Sequence, residues 1–586
     1  MKISQLLLCL ACLGFGTPPP DSWQTPFEQG GETQSATYAE AIEYYQRLAS
    51  TYEEAHLWTY GATDVGEPLQ VLVLSKEPNI SPFEAKASGK PILLINNGIH
   101  PGEPCGIDAS MMLARDLLQT PEKKAWLEDV IVAIIPVYNI GGALNRGSDS
   151  RANQLGPEAY GFRGNARNYD LNRDFVKADT RNAQAFHHIF QDWFPHLMID
   201  THTTNGADYP AVLTYITNTE SRTGLKTQWV LEDALIPALT EHMAKQEIPV
   251  NPYVYGMGKE PRQGIKSFLN LPRYSTGYAS LFQTMAFITE AHMLKSFPER
   301  VWATYHWLAG TIAYAAENGE QVVEAVEIDR LAIRARRIFP VDWTLDREQV
   351  DSLWFSGYEA KTKPSEVTGA ERMYYDRDEP YQDSIPFYQT YQPTTTINAP
   401  EAYLIPQAEQ KVLQRLQQNG VKLAYLSRDT ILEVEVGYIR NLETSRRSYE
   451  GHFVHQKLEL ERMTQSISFR KGDAVVWLNQ DRNAYIVHVL EPEARDSFFR
   501  WNYFDGILMR KEYFSPYVFE DEAAKMLAED PELQAKFEEA KANDPAMAAE
   551  PYLQLDFLYR SSPHYESTYN RYPIFFFRQS SSLPLD

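Results

Sequence analysis

His100-Pro101-Gly102-Glu103 follows directly on the apolar run Ile92-Leu93-Leu94-Ile95, and about one hundred residues later a second apolar run, Leu197-Met198-Ile199, ends in Asp200-Thr201-His202-Thr203. Two imidazoles and a carboxylate at strand ends are the ligand set of an open zinc site, with a fourth position left for water or substrate. The chemistry this set implies is metal-assisted hydrolysis. Pro101-Gly102 breaks the strand and a helix is expected after it, so His100 and Glu103, three apart, share a face and can chelate. The plain alternative is a loop histidine and a helix-start glutamate favoured by the dipole.

A lone His-x-x-Glu is a weak signal in a chain with 13 histidines, and a second copy occurs at His488-Val489-Leu490-Glu491. It follows Ala484-Tyr485-Ile486-Val487, which reads as a strand. Residues three apart on a strand point to opposite faces, so His488 and Glu491 are read as structural. The first copy has company. The stretch from Asn165 to Phe175 (Asn-Ala-Arg-Asn-Tyr-Asp-Leu-Asn-Arg-Asp-Phe) crowds hydrogen-bonding side chains into one loop, and Thr289-Glu290-Ala291 ends the strand Met285 to Ile288 in a carboxylate. A carboxylate held against an activated water can take its proton and return it to a leaving group, which is the role expected of Glu290. Cys105 reads as a small buried hydrophobe rather than a fourth ligand, and His187, His188 and His292 as packing or surface residues.

The elements that must carry these side chains are strands alternating with helices over residues 35–315. Leu69 to Leu74, Ile92 to Asn96, Val130 to Val137, Leu197 to Thr201 and Thr284 to Thr289 read as strands. Tyr38 to Glu54, Gly106 to Leu118, Thr180 to Phe194 and Gly224 to Gln246 read as helices. That alternation implies an α/β fold with a mixed, mostly parallel sheet and helices on both faces. Sites in such sheets gather at the strands' carboxyl ends, where both motifs lie. Beyond residue 330 the pattern changes to an accessory C-terminal region of mixed α/β character, 330–586. There Asp342 to Thr396 reads as turn-rich, Ala402 to Ile405 as a strand, Gln407 to Gln418 as a helix and Val421 to Leu426 as a strand. Thr430 to Leu490 reads as antiparallel strands and Glu520 to Ala548 as charged helix.

Composition bounds the partners. A net charge of −23 argues against nucleic acid. Residues 1–16 have the basic start, short apolar run and small-residue end of a secretory signal peptide, and 17–34 read as a linker. Cys12 offers a lipoprotein alternative, disfavoured by Cys9 three positions before it. A signal cut after Gly16 leaves Cys105 as the remaining cysteine, without a disulfide partner. No later stretch is apolar enough for a membrane span, so a periplasmic or secreted protein is expected.

In order along the chain, His-Pro-Gly-Glu, Asp-Leu-Asn-Arg-Asp-Phe, Asp-x-His and a late strand-end Glu resemble the zinc carboxypeptidase family, the carboxypeptidase A-like metallopeptidases, over residues 35–315. The full length, including Phe499-Arg500-Trp501-Asn502, is similar to exported bacterial members. The resemblance implies one Zn2+ held by His100, Glu103 and His202, with Glu290 as general base and acid. It makes Asp170 the carboxylate that orients His100. Asn172 and Arg173 grip a substrate's C-terminal carboxylate, and Arg163 polarises the scissile carbonyl, with Arg167 a rival. A substrate-capping tyrosine falls at Tyr274 or Tyr278. Many members carry Arg where this chain has Gly102, and the disulfides of animal secreted members are absent. The implied substrates are peptide or protein C-termini. Two rivals remain at this level: a zinc-dependent deacylase or amidase on N-acyl amino acids or cell-wall peptides, and an inactive binding scaffold.

Overall fold

The computed structural model describes residues 23–218, 224–579 and 583–585. The expected signal peptide, residues 1–16, lies outside them. The chain forms two compact units. One comprises the described residues up to Ala399 together with Gln414–Val421 and Asn479–His488; the other comprises Pro400–Leu413, Lys422–Leu478 and the residues from Val489 onward.

The strands of the first unit are, in chain order, β1 (Ala55–Ala62), β2 (Pro68–Leu74), β3 (Ile92–Asn96), β4 (Ile131–Ile135), β5 (Leu197–Thr203), β6 (Leu213–Thr217) and β7 (Val250–Pro252). They continue with β8 (Tyr255–Gly256), β9 (Ile265–Lys266), β10 (Met285–Ala291), β11 (Ile338–Leu345), β12 (Asp351–Pro364), β13 (Glu371–Tyr388) and β14 (Tyr391–Asn398). Eight make the main sheet in the order β1-β2-β4-β3-β5-β10-β6-β7. Its centre, β4-β3-β5-β10, is parallel, and β1, β2 and β6 join antiparallel. The expected mixed α/β sheet is what forms.

The central strands are apolar up to their carboxyl ends because both faces are covered: every residue of β3, β4 and β5 is buried, the polar ones being Asn96 and Asp200 to Thr203 at the strand ends. Alternate residues divide between the faces. Leu93, Ile95, Val132, Ile134, Leu197 and Ile199 join the core formed with helices Tyr38–Thr51, Cys105–Gln119, Ile236–Lys245 and Phe297–Glu317. Residues of the opposite parity point to the other face, so His202 and Glu290 share that face, paired side by side across β5 and β10. Gly106 allows the helix after Glu103 to approach β5, since a Cβ there would stand 2.0 Å from Thr201 Oγ1. That approach brings Glu103 beside the end of β5.

Three readings differ from what forms. Asp342–Thr396, read as turn-rich, is mostly strand: β12 and β13 form one long antiparallel ribbon, and β11 pairs with β14. Both faces of the ribbon's distal part are wet, so the alternating apolar signal is missing. Ala484–Val487, read as strand, lies in the helix Asn483–Leu490. A short apolar run does not separate a buried helix from a strand by period. Residues 23–34, read as linker, include the helix Pro26–Gln29, where Phe27 is buried and Thr25 and Glu28 form a capping box.

The second unit has a six-stranded sheet of β15 (Ala402–Ile405), β16 (Ala424–Tyr425), β17 (Thr430–Thr444), β18 (His455–Phe469), β19 (Ala474–Trp477) and β20 (Phe575–Phe577), ordered β16-β19-β15-β20-β17-β18. Its charged stretch folds as the separate helices Pro516–Glu529, Pro531–Asn543 and Pro545–Ala549, each restarted by a proline at its first position. No helix among the described residues is long and apolar enough to cross a membrane.

Candidate metal centre

His100 and Glu103 stand after the end of β3, and His202 on β5. All three are buried, and one ligand atom from each falls within 4.8 Å of the other two. His202 Nδ1 lies 3.1 Å from His100 Nδ1 and 3.1 Å from Glu103 Oε2, and His100 Nδ1 lies 3.4 Å from Glu103 Oε1. A tetrahedral ion with ligands at about 2.1 Å would set its ligand atoms about 3.4 Å apart, so these separations suit zinc.

The outer partners explain why both Nδ1 atoms face inward. His100 Nε2 donates to Asp170 Oδ1 at 2.9 Å, and His202 Nε2 donates to Asp200 Oδ2 at 2.9 Å. Each carboxylate fixes the tautomer that leaves an Nδ1 lone pair for a cation. Asp170 also caps the turn Leu171–Arg173, accepting from the Asn172 amide. Asp200 Oδ2 accepts from Ser275 Oγ at 2.6 Å. Burial opposes ionisation of Asp170, but His100, Arg163 and Arg173 outweigh it and hold the carboxyl far below the usual range. Burial likewise works against a charged His202; Asp200 and Glu103 nevertheless push its pKa well up. A proton held there is one a metal would displace.

Glu290 faces the same cavity from the end of β10, in register with His202. Burial, opposed by His202 and reinforced by Glu103, raises its pKa to about 7. A carboxyl poised there can accept a proton and give it back near neutral pH.

Guanidinium groups line the other side. Arg163 Nη2 meets Asp170 Oδ2 at 2.9 Å and Arg163 Nη1 lies 3.5 Å from Glu103 Oε1. Arg151, absent from the sequence expectations, donates to Glu103 Oε1 at 2.7 Å and to the Thr203 carbonyl at 3.4 Å. Its stem explains Gly102: a Cβ at residue 102 would stand 2.9 Å from Arg151 Cδ. The space a larger residue would need is filled by an arginine from another loop. Arg167 turns away, donating to the Asp179 carbonyl and lying over Tyr169.

Asn172 and Arg173 also line the cavity, with the Arg173 guanidinium 4.7 Å from the Tyr274 ring centre. Asn172 Oδ1 accepts from the Ser275 amide. Of the two candidate tyrosines, Tyr274 lines the cavity, whereas Tyr278 is fully buried with its hydroxyl donating to Asn419 Oδ1. Tyr253 joins the lining unforeseen. The cavity holds about 510 Å³.

The other readings can be located too. Cys105 is buried and contacts Thr203 Oγ1 at 3.5 Å, outside the ligand set. His488 Nδ1 donates to the Ala484 carbonyl within its helix, and Glu491 is paired with Arg462. Asp200 had a sequence signal: two residues before His202 on one strand places both on one face. Arg151 had none, because no spacing rule links it to Glu103.

Residues 41–257 match the family model described as zinc carboxypeptidase. His100, Glu103 and His202 fall inside that span and Glu290 beyond it. The chain is similar to Carboxypeptidase 2 of Trichophyton rubrum, 22% identical over 489 residues that cover 80% of this chain and 84% of the relative. Carboxypeptidase 2 of Trichophyton tonsurans is 22% identical over 491 residues, with the same coverage. Among solved structures, a metallo-carboxypeptidase from Burkholderia cenocepacia overlaps 48% of this chain and 69% of its own at 14% identity and a TM-score of 0.36. One from Pseudomonas aeruginosa, in complex with (2-guanidinoethylmercapto)succinic acid, overlaps 50% and 70% at 13% identity and a TM-score of 0.36.

Proposed function

We propose that this chain, whose residues 41–257 match the zinc carboxypeptidase family model, is an exported enzyme releasing single residues from peptide and protein C-termini. The observation that carries the proposal is the convergence of His100, Glu103 and His202 within 4.8 Å, in one cavity with Glu290 and Arg173. His100, Glu103 and His202 would hold the ion. Zinc with three protein ligands supplies a Lewis acid and lowers the pKa of water at its open position.

The chain's own residues do the rest. Arg173 and Asn172 take the substrate's terminal carboxylate, the guanidinium offering paired donors to its two oxygens. That contact fixes the terminal residue and leaves its peptide carbonyl facing the ligand triad. Glu290 accepts the proton of the attacking water and passes it to the departing amine. Arg163 and Arg151 line the same cavity, and either would donate to the carbonyl oxygen as negative charge grows on it. Asp170 and Asp200 keep the imidazoles oriented throughout. Export rests on the sequence pattern of residues 1–16; anchoring through Cys12 is the lesser alternative.

The test is a peptide-library digest read by mass spectrometry, with and without chelator, beside a measurement of zinc content. Single residues should leave from C-termini, and chelator should stop their release. A zinc-loaded chain that releases none would end the reading.

A further inference from the structure

The second unit holds a hydroxyl, an imidazole and a carboxylate in one hydrogen-bonded line. Thr444 Oγ1 donates to His455 Nδ1 at 2.8 Å, and His455 Nε2 donates to Asp505 Oδ1 at 3.0 Å. Thr444 closes β17, His455 opens β18, and the two are paired across the hairpin. The register slips between Glu443 and Thr444, a bulge of the kind that re-aims a side chain and gathers beside active sites. Asp505 comes from elsewhere in the unit, at the start of the short helix Asp505–Leu508.

The segment Phe499-Arg500-Trp501-Asn502 holds this line in place. The Phe499 ring lies 4.9 Å from the His455 ring, centre to centre. The His455 amide donates to the Arg500 carbonyl, and Arg500 Nη1 donates back to the His455 carbonyl. Asn502 Nδ2 donates to the Phe453 carbonyl at 2.9 Å and to Asp505 Oδ2 at 3.2 Å, which leaves Oδ1 for the imidazole. His455 is only 3% exposed, whereas Thr444 and Asp505, at the two ends of the line, are exposed. A cleft of about 240 Å³ starts at Leu442, two residues before Thr444, and is walled by Leu508 from the helix that carries Asp505.

We propose that Thr444, His455 and Asp505 form a second catalytic site, independent of metal, that hydrolyses short-chain carboxylic esters. A hydroxyl within hydrogen-bond reach of a base, with the base oriented by a third group, is the arrangement that activates a nucleophile. Thr444 Oγ1 attacks the ester carbonyl carbon as its proton passes to His455 Nδ1, and Asp505 steadies the imidazolium through Nε2. The bond to the alcohol oxygen then breaks, and the Nδ1 proton leaves with the alcohol. Water attacks the acyl group on Thr444 by the same route: its proton goes to Nδ1, the acid departs, and the proton returns to Thr444 Oγ1. One ester and one water give one acid and one alcohol. The cleft beside Leu442 and Leu508 is small and partly apolar, which suits an acyl chain of a few carbons.

The experiment uses the full chain with chelator present, because a metal centre also polarises ester carbonyls. p-Nitrophenyl acetate and butyrate are the substrates. A fluorophosphonate, which labels activated hydroxyls, is the probe, and mass spectrometry maps where it attaches. Expected are chelator-resistant release of nitrophenol and a label on Thr444. Thr444→Val keeps the shape and loses the hydroxyl, so it should lose the label and at least about a hundredfold of the rate, whereas Thr444→Ser should keep both. Asp505→Asn, at an exposed position, should lower the rate by at least a similar factor. An absence of chelator-resistant hydrolysis would overturn the proposal. So would a label placed elsewhere than Thr444, a Thr444→Val chain as active as the native one, or a Thr444→Ser chain as inactive as Thr444→Val. Peptide release at the metal centre is a separate measurement that none of these outcomes touches.

Discussion

Glu290 makes the sharpest demand on a single side chain. In the proposed mechanism its carboxyl loses and regains a proton within one turnover, so replacing it with an amide removes the step and keeps the shape. Glu290→Gln should lower kcat by about a thousandfold, the scale of a lost general base, with zinc content unchanged. The pH profile follows from the same group. Without the ion its pKa is raised to about 7 by burial. The working form is the carboxylate, so kcat/KM rises with pH through the pKa of the free enzyme. A nearby dication favours the carboxylate, which places the acid limb of the zinc-loaded enzyme below about 7. An acid limb that persists unchanged in Glu290→Gln would assign it to another group. Asp200 answers a different question. Its 2.9 Å contact with His202 Nε2 would orient a proposed metal ligand. Asp200→Asn should weaken zinc binding about 10–100-fold in a chelator competition. Unchanged affinity would reduce Asp200 to a packing role.

At the scale of elements, the helix Cys105–Gln119 couples the site to the core and carries a buried acid. Asp108 Oδ1 accepts from the Ala36 amide at 2.9 Å, and burial raises its pKa to about 7 from 3.8. The folded chain therefore binds this proton more tightly than the unfolded chain. The resulting stability is fully present below pH 3.8 and is lost as pH rises through about 7. Asp108→Asn keeps an acceptor for Ala36 and removes the charge, so its Tm should exceed that of the native chain at pH 8, with the gain shrinking towards pH 5. A Tm difference that is flat with pH would refute the assignment. The same elements show what the sequence can and cannot display. Ile131–Ile135 and Leu197–Ile199 were legible because burial on both faces leaves an unbroken apolar run. His100 and Glu103 were legible because three residues of spacing at a helix entry imply a shared face. The ribbon β12–β13 was not, because its stability lies in cross-strand pairing with residues such as Trp354 left 66% exposed. Arg151 was not, because its place against Glu103 is set by a loop and by the space that Gly102 leaves.

The whole molecule sets the limit on cutting it. The unit that holds the metal centre does not end where its sheet ends: Gln414–Val421 and Asn479–His488 return to it from far along the chain. They return with buried polar contacts. Asn419 Oδ1 accepts from the Tyr278 hydroxyl at 2.6 Å, and its Nδ2 donates to His187 Nδ1 at 3.2 Å. His187 Nε2 donates to the Phe175 carbonyl, which follows directly on the loop bearing Asn172 and Arg173. Asn483 Nδ2 donates to the Ile333 carbonyl, and Arg482 Nη2 to Gln191 Oε1. A chain stopped after Ala399 keeps every side chain proposed for catalysis at the metal centre and loses Asn419, Arg482 and Asn483 with their contacts. Each buried group left unpaired costs about 1–3 kcal/mol, so several together consume much of a stability of about 5–15 kcal/mol. The truncated chain should unfold at markedly lower temperature than the full chain, and Asn419→Ala in the full chain should reproduce part of that loss. Zinc added in excess should recover some of the Tm of both, since an ion that binds only the folded state stabilises it by mass action. A truncated chain with the Tm of the full one would show that the returning segments contribute packing alone, and the Asn419 contacts no net stability.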